Sequence, residues 1–421
     1  MSVPDSWYNL LADFPLELPD DLPSPHAAGG LRPQLPAALI RQEMSRAREI
    51  SIPGEVMDRY LRWRPTPLRR ASALEAALDT PARIYFKYEG DNLSGSHKLN
   101  TAIPQAFYYA KAGAKRLSTG TGAGQWGTAL ALAGGMFGLE TVAFMTRSSY
   151  DSKPYRRVIM EMLGCRVEPV EGNLADALAA ALGETRNAEG TRFATGSGEG
   201  YSLLHQTVIG QEAASQLSDL GERPDVVIAS LGAGSNFGGI AFPFLGAARR
   251  SGGGVRAVAV EPAACPKLTR GRYRYDFTDA SRATPLQKMF TLGSGFATPP
   301  IHAGGLRYHA TAKIISALRA EGAIEAAAYT QKEVFGSAVE FARLEGVLPA
   351  PEAAHAVHGA IREAIACREE GVGRTILFCL SGHGMYDLAA YDEFQSGRLD
   401  DVVPSDEEIE RSLALLPEVV A

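Results

Sequence analysis

The sequence predicts an α/β fold in which parallel sheets carry helices on both faces. Short apolar runs typical of strands alternate with helical segments from residue 82 onward, and glycine-rich turns follow three of these runs. Such alternation implies parallel strands, because each parallel crossover needs a connection long enough to hold a helix. Ligands in these folds bind at the carboxyl ends of strands, so the three glycine turns are the first candidate site.

The segments before the alternation are of two kinds. Residues 1 to about 38 are rich in proline and aspartate, and we expect them to wrap over a folded body. Residues 39–63 show helical spacing with a break at Pro53-Gly54, and 64–68 form a rigid extended connector. The strand-like runs follow at 82–90, 115–120, 140–146, 166–170, 225–231, 255–262 and 375–380, with helical segments between most of them.

Length and composition are those of an ordinary globular protein. The 421 residues carry a net charge of −6, with 45% hydrophobic and 21% charged residues, and this length allows two or three domains. No basic cluster has the density that nucleic acid or an anionic membrane requires. No apolar run approaches the roughly 20 residues that cross a bilayer. We therefore expect no nucleic-acid and no membrane partner.

The N-terminus and the cysteines point to a cytoplasmic protein. The first residues lack the basic and apolar regions of a signal peptide. The four cysteines are far apart, without the spacing typical of a zinc site or a disulfide framework. We expect reduced thiols and no metal site.

Two glycine-rich loops are suited to bind anions. Residues 118–127 and 231–239 expose backbone N–H groups at the predicted start of a helix, where carboxylate or phosphate is stabilised. A plain strand-to-helix turn explains either loop taken alone. The second loop has neither the lysine of a P-loop nor the GxGxxG spacing, so a nucleotide is the weaker alternative.

A lysine and a polar turn complete the candidate site. Lys98 lies at the predicted start of a helix, where a positive charge is electrostatically unfavourable. The third glycine turn, 380–387, places Ser381 after an apolar strand, either as a helix cap or as a hydroxyl facing a ring nitrogen. Pyridoxal 5'-phosphate (PLP) sites combine these features: a lysine that binds the aldehyde, loops that bind the phosphate and the substrate carboxylate, and a polar turn at the ring nitrogen.

These segments resemble the tryptophan synthase β-subunit family. "GSHKLNTA" is similar to its PLP-lysine segment, "TGAGQWG" to its carboxylate loop, "GAGSN" to its phosphate loop and "LSGHG" to its serine turn. Stretches such as "WRPTPL", "LLHQTVIGQEA" and "PPIHAGGLRYH" resemble the longer, second type of β subunit, which does not require an α subunit. The resemblance extends from about residue 7 to about residue 392.

The resemblance implies a fold-type II PLP enzyme with two doubly wound domains and the cofactor in the cleft between them. It predicts an N-terminal wrapping segment (1–60), an N-terminal α/β domain (97–214) and a C-terminal α/β domain (61–96 plus 215–421). Residues from about 112 to 195 are expected to form a mobile closure region. A homodimer is expected by analogy, and a bound monovalent cation is compatible with the resemblance.

The resemblance also assigns a role to each motif position. Lys98 is expected to bind PLP and to move the proton at the substrate's Cα. The expected cofactor-binding residues are His97, Lys98, Asn100, Gly232, Gly234, Ser235, Asn236, Glu352 and Ser381. The carboxylate of the amino-acid substrate is expected at Thr121, Gly122, Ala123, Gly124 and Gln125.

One position departs from the family. Its carboxylate loop begins Glu-Thr-Gly-Ala-Gly-Gln, and Gly120 stands at the glutamate position. Glycine cannot supply acid–base catalysis, which is typically worth about 10²–10⁴-fold. Gly-Ser-Gly at 293–295 also replaces the family's Gly-His-Asp. We therefore expect β-replacement on L-serine or an O-activated serine, through an aminoacrylate, with an altered donor or nucleophile.

Three alternatives stay open. The chain could make tryptophan from L-serine and indole in the ordinary way. It could be a serine or threonine deaminase, in which water follows the same elimination and ammonia and a keto acid are released. It could also be a PLP-binding regulatory homologue without catalysis.

Overall fold

Two parallel sheets organise the computed structural model, which describes residues 3–24, 35–279, 282 and 284–419. The strands are β1 (Ser6–Tyr8), β2 (Glu49–Ser51), β3 (Leu68–Arg70), β4 (Arg83–Tyr88), β5 (Arg116–Thr121), β6 (Glu140–Thr146), β7 (Cys165–Val170), β8 (Thr191–Phe193), β9 (Val226–Ser230), β10 (Arg256–Pro262), β11 (Arg272–Asp276), β12 (Gln287–Thr291), β13 (Glu325–Tyr329) and β14 (Thr375–Leu380).

Helices connect most of these strands and cover the sheets. They are α1 (Ala37–Met44), α2 (Gly54–Tyr60), α3 (Ser72–Ala77), α4 (Leu99–Lys111), α5 (Gln125–Met136), α6 (Arg147–Ser152), α7 (Pro154–Met162), α8 (Leu174–Asn187), α9 (Gly200–Gln206), α10 (Val208–Asp219), α11 (Ser235–Ser251), α12 (Lys313–Ala320), α13 (Gln331–Glu345), α14 (Pro351–Glu370), α15 (Leu388–Gln395) and α16 (Asp406–Leu413).

The larger sheet has the strand order β13-β10-β9-β14-β4-β3, and only the edge pair β3–β4 is antiparallel. Strands β9 and β14 are buried along their whole length, which explains their continuous apolar sequences. Successive side chains pack on opposite faces: Val227 and Leu377 lie in the same core as α11. Ile228 and Phe378 lie in the core formed with α14.

The smaller sheet has the order β7-β6-β5-β8, with all strands parallel. On one face Met145 packs with residues of α5 and α7, and on the other face Phe144 and Phe193 pack with α8. Its strands lie within 116–193, whereas those of the larger sheet lie within 68–88 and 226–380. The division into two domains with the stated bounds stays a prediction.

The prediction of helical spacing over 39–63 is wrong between α1 and α2. Residues Glu49–Ser51 form β2, which pairs antiparallel with β1 and places Ile50 opposite Trp7. The Trp7 side chain is fully buried, so this pairing anchors the N-terminal segment, and tertiary contacts override the local pattern. The antiparallel hairpin of β11 and β12 was also not predicted.

Three compositional expectations can be compared with the structure. The four cysteines are unpaired thiols in buried positions. Within the described ranges, no helix combines the length and the apolarity needed to span a bilayer. In the same part of the chain, no group of three or more His, Cys, Asp or Glu side chains is placed to hold a metal ion.

A buried ion network joins the connector before β3 to the larger sheet and to α4. Arg64 donates hydrogen bonds to Glu89 (2.9 Å), Glu212 (2.8 Å) and the Asn100 Oδ1 atom (2.8 Å). Lys87 donates to Glu212 (2.8 Å). Burial raises the pKa of Glu89, but the charges of Arg64 and Lys87 outweigh burial and lower it to about 2. Glu89 therefore stays ionised at neutral pH, and the members of the network depend on one another for charge compensation.

We predict that Glu212→Gln destabilises the protein by about 3–5 kcal/mol, because it leaves two buried cations with one carboxylate fewer. Urea unfolding followed by circular dichroism measures the loss. The matched control is Glu140→Gln, which removes an exposed pair with Arg116 and should cost no more than about 1 kcal/mol. Equal losses in the two variants would contradict this account.

Candidate active site

Turns at the carboxyl ends of four parallel strands converge on one place in the fold. Lys98 is the N-cap residue of α4, which follows β4. Gly124 caps α5 after β5, and Gly234 caps α11 after β9. Ser381 directly follows β14. This is the edge at which doubly wound sheets bind ligands.

A narrow recess brings nearly all the expected cofactor-binding residues together. Its walls include His97, Lys98, Gly232, Gly234, Ser235, Asn236, Glu352 and Ser381, with Gln125 from the expected substrate loop. The recess measures about 20 Å³. It adjoins a cavity of about 1060 Å³, and Lys98 and Gln125 line both.

Asn100 lies behind the recess rather than in its wall. Its side-chain amide donates to Glu89 (2.9 Å) and Gln206 (3.2 Å) and its oxygen accepts from Arg64 (2.8 Å). The structure therefore places Asn100 in the ion network, where it ties the first turn of α4 to the larger sheet.

Lys98 is positioned by the serine turn. The backbone N–H of His97 donates to the carbonyl oxygen of Ser381 (2.9 Å), and Ser96 pairs with Gly382 as an isolated β-bridge. Burial lowers the pKa of Lys98, and the nearby carboxylate of Glu352 only partly opposes this. A lowered pKa leaves more of the amine neutral, which is the form that condenses with an aldehyde.

The loop before α11 forms an anion cradle. Gly234 has φ +134°, a conformation that favours glycine, and a Cβ at Gly232 would lie 2.6 Å from the carbonyl oxygen of Gly305. Among the residues that the structure describes, the buried His97 Nδ1 and Asn236 Oδ1 atoms find no hydrogen-bond partner. Burial lowers the pKa of His97 to about 3, so the ring is neutral. Unpaired polar atoms beside a helix N-terminus fit the phosphate end of PLP.

The expected carboxylate loop lines the larger cavity through Thr121, Gly122, Ala123 and Gln125, whereas Gly124 does not reach it. Gly124 has φ +87° and caps α5, so it shapes the loop without facing the cavity. The Gln125 Nε2 atom donates to a Glu352 oxygen (2.8 Å). This hydrogen bond joins the loop to the residue expected beside the cofactor ring.

Sequence analysis assigned no role to the strap formed by Gly304–Leu306, a short 3-10 helix. A Cβ at Gly122 would lie 2.9 Å from the Gly304 carbonyl oxygen, and one at Gly232 would lie 2.6 Å from that of Gly305. The Gly305 N–H also donates to Glu352 (2.8 Å). The strap therefore contacts both glycine loops, and its Gly-Gly pair is the feature of the sequence that could have indicated this.

The Asp387 ion cluster joins the expected closure region to the turn after β14. Lys153 donates to the Asp387 Oδ1 atom (2.5 Å) and Arg156 to Oδ2 (3.1 Å). Burial raises the pKa of Asp387, but the two cations outweigh burial and lower it to about 2. All three side chains are buried, so the cluster holds the two parts of the chain together at neutral pH.

Gly120 lacks the carboxylate of the family's glutamate, and the packing around it also requires glycine. A Cβ at this position would lie 2.6 Å from the Leu178 backbone nitrogen and 2.8 Å from the Ala177 carbonyl oxygen. Helix α8 thus packs directly on the backbone of β5. Only glycine, which has no Cβ, allows so close an approach. A glutamate cannot be accommodated here unless α8 moves.

Comparison with known proteins gives the class of the molecule. Residues 60–382 match the family described as "Pyridoxal-phosphate dependent enzyme", and the chain belongs to this family. The residues of the recess fit the cofactor that the family uses.

Within that class, the chain belongs to the tryptophan synthase β family of the second type. It is 48% identical to the tryptophan synthase beta chain 2 of Methanosarcina acetivorans, over 94% of this chain and 95% of the relative. It is 49% identical to the tryptophan synthase beta chain 2 of Thermotoga maritima, over 92% of this chain and 97% of that one.

Solved structures confirm the predicted fold class. An L-serine ammonia-lyase from Rhizomucor miehei matches with a TM-score of 0.63 at 16% identity, over 79% of this chain and 98% of that one. The processed threonine deaminase isoform 2 of Solanum lycopersicum matches with a TM-score of 0.63 at 17% identity, over 90% of this chain and 96% of that one. At such identities the likeness concerns the fold alone.

We predict that Gly120→Ala destabilises the protein by about 1–3 kcal/mol, because the new Cβ forces α8 away from β5. The matched control is Gly135→Ala in α5, where a Cβ meets open space. Because alanine favours helix more than glycine does, this variant should be more stable, by at most about 1 kcal/mol. Thermal unfolding of both variants is the measurement. A stable Gly120→Ala protein would show that α8 does not hold this position.

Proposed function

We propose that the chain is a PLP-dependent lyase that replaces the β substituent of L-serine or of an O-activated serine with a nucleophile. The observation that carries this proposal is the convergence of Lys98, Glu352, Ser381 and the Gly232–Asn236 loop on one recess. The adjoining cavity supplies space for an amino acid and a second substrate. The β-chain relatives support the reaction class.

Each group around the recess has a role in this proposal. Bound PLP supplies an electron sink for the negative charge that develops at the substrate's Cα. Lys98 would hold the cofactor and move the Cα proton. The Gly232–Asn236 loop would bind the phosphate, and the Ser381 hydroxyl would face the ring nitrogen.

The 121–125 loop would bind the substrate carboxylate through backbone N–H groups at the start of α5. The Gln125–Glu352 hydrogen bond would then fix this loop relative to the cofactor ring. The contacts of the strap with both glycine loops and the Asp387 ion cluster would help to exclude water from the reacting atoms. Exclusion of water favours addition of a nucleophile over deamination.

Position 120 supports a donor with a good leaving group. In the proposed reaction the Cβ–O bond breaks and a bond from Cβ to the nucleophile forms. Phosphate and acetate leave as stable anions, whereas hydroxide needs a proton from an acid. Since α8 occupies the space of a side chain at Gly120, we propose O-phospho-L-serine or O-acetyl-L-serine ahead of L-serine. The acceptor is indole or another small nucleophile.

We also propose, by analogy with the family, a cytoplasmic homodimer that does not require an α subunit. Two domains, with residues from about 112 to 195 as the mobile part, belong to the same proposal. The ion cluster that joins Lys153 and Arg156 to Asp387 supports closure of that part on the rest of the chain.

We predict that Lys98→Met abolishes covalent capture of the cofactor. After borohydride treatment, mass spectrometry of the unaltered protein should locate a pyridoxyl group on the peptide that contains Lys98, and the variant should carry none. The turnover of Lys98→Met should be about 10²–10⁴-fold lower than that of the unaltered protein, because the proton-transfer group is lost. Lys111→Met, in the last turn of the same helix, is the control and should keep both properties.

We predict that kcat/KM with indole is about 10²–10⁴-fold higher for O-phospho-L-serine or O-acetyl-L-serine than for L-serine, since the activated donors need no acid. Product analysis by mass spectrometry distinguishes the outcomes. Equal rates with L-serine would identify the ordinary synthase reaction. Ammonia and a keto acid without a condensed product would identify a deaminase. No reaction and no change in cofactor absorbance with any donor would indicate the regulatory homologue.

A further inference from the structure

The larger cavity extends well beyond the space that a serine donor needs. It runs from Lys98 and Thr121 to Glu43 in α1 and to the segment 195–201 before and at the start of α9. Its volume of about 1060 Å³ lies at the upper end of the range for sites that bury a whole organic ligand. The cavity therefore has space for a second substrate beside the donor.

Part of the cavity lining is apolar. Trp126, Leu178, Leu182 and Phe193 line it, and they come from α5, α8 and β8. Such a wall buries an aromatic or aliphatic body and gains roughly 25 cal/mol for each Å² of apolar surface removed from water.

Two polar side chains also line the cavity, Glu199 and Tyr201. The carboxylate of Glu199 makes no hydrogen bond or ion pair with a described residue, although its backbone carbonyl accepts from the N–H groups of Ser202 and Leu203. Tyr201 is fully buried, yet its hydroxyl has no hydrogen-bond partner among the described residues. A buried hydroxyl is normally satisfied, so this one, beside the half-buried Glu199, points to a ligand.

The charges around Glu199 leave it without a cation of its own. Glu43 is held by the N–H groups of Gly200 (3.0 Å) and Tyr201 (2.8 Å). Lys313 is paired with Asp21 at 2.6 Å. The titratable groups that interact with Glu199 through their charges are Glu43, Asp21, Lys313, Tyr109, Tyr201 and Tyr308. Burial, Glu43 and Asp21 raise the pKa of Glu199 to about 8.

We propose that the part of the cavity lined by Glu199 and Tyr201 binds the acceptor nucleophile through a protonated amine, whose N–H donates to the Glu199 carboxylate and to the Tyr201 hydroxyl oxygen. The inference rests on the proposed function, because it names the chemical class of its second substrate: an apolar body with a cationic tail. An acceptor without such a group leaves both side chains unpaired, which a polar site discriminates against.

The test is calorimetric binding to the PLP-loaded protein. The probe is N,N-dimethylbenzylamine, a tertiary amine that cannot condense with an aldehyde, and benzyl methyl ether is its neutral analogue. We expect the amine to bind at least tenfold more tightly than the ether. Glu199→Gln should remove this preference and Tyr201→Phe should reduce it. Glu189→Gln, an exposed position outside the cavity, should leave it unchanged.

The pH dependence gives a second measurement. Glu199 is protonated at neutral pH, and a bound cation favours its ionised form. Amine affinity should therefore rise from about pH 6 to about pH 8, and binding at pH 7 should release a proton, seen as a buffer-dependent heat. Both effects should be absent from Glu199→Gln.

The failures of the two proposals are distinguishable. Equal affinities for amine and ether, or an unchanged preference in Glu199→Gln and Tyr201→Phe, would overturn the acceptor site. The reaction of serine donors in the absence of probe tests the proposed function separately. Donor turnover without amine binding would leave that function standing and remove only the acceptor inference.

Discussion

Buried charge fixes the start of helix α4, and the position of Lys98 depends on it. Arg64 contacts Glu89 in the larger sheet, Glu212 in α10 and Asn100 in the first turn of α4. An ion pair of this kind adds little net stability over apolar packing, but it tolerates no missing partner. The network therefore acts through geometry: it sets the angle at which α4 leaves the sheet, and so the direction from which the Lys98 amine enters the recess.

The Asp387 ion cluster is also made of buried charges, but it has a different consequence. It lies between the expected closure region and the turn after β14, with Lys153 and Arg156 on one side and Asp387 on the other. Desolvation of the three charges nearly offsets their attraction, and water can replace that attraction when the parts separate. Contacts made of charge are thus easier to separate than apolar ones, which suits the proposed closure region and the proposed two-substrate reaction.

Local motifs were predictable from the sequence, and contacts between distant segments were not. Lys98, Ser381 and the glycine loops lie where predicted, because a strand, a turn and a helix N-terminus are specified by neighbouring residues. The role of the Gly304–Leu306 strap depends on contacts with positions 122 and 232, far away in the chain. The same limit explains why the helical spacing of residues 39–63 does not predict β2: only its pairing with β1 makes it a strand.

Gly120 and Glu199 show how one cavity can change its chemistry without losing its shape. At position 120 the close packing of α8 excludes any side chain, so the end of the cavity near Lys98 cannot gain a carboxyl there. Glu199 lines the same cavity, where an apolar residue would make the lining more hydrophobic. In the proposed acceptor site, this carboxyl selects which molecule approaches. Under the two proposals, the donor brings its own leaving group, and an acceptor with a cationic group supplies the charge that pairs with Glu199.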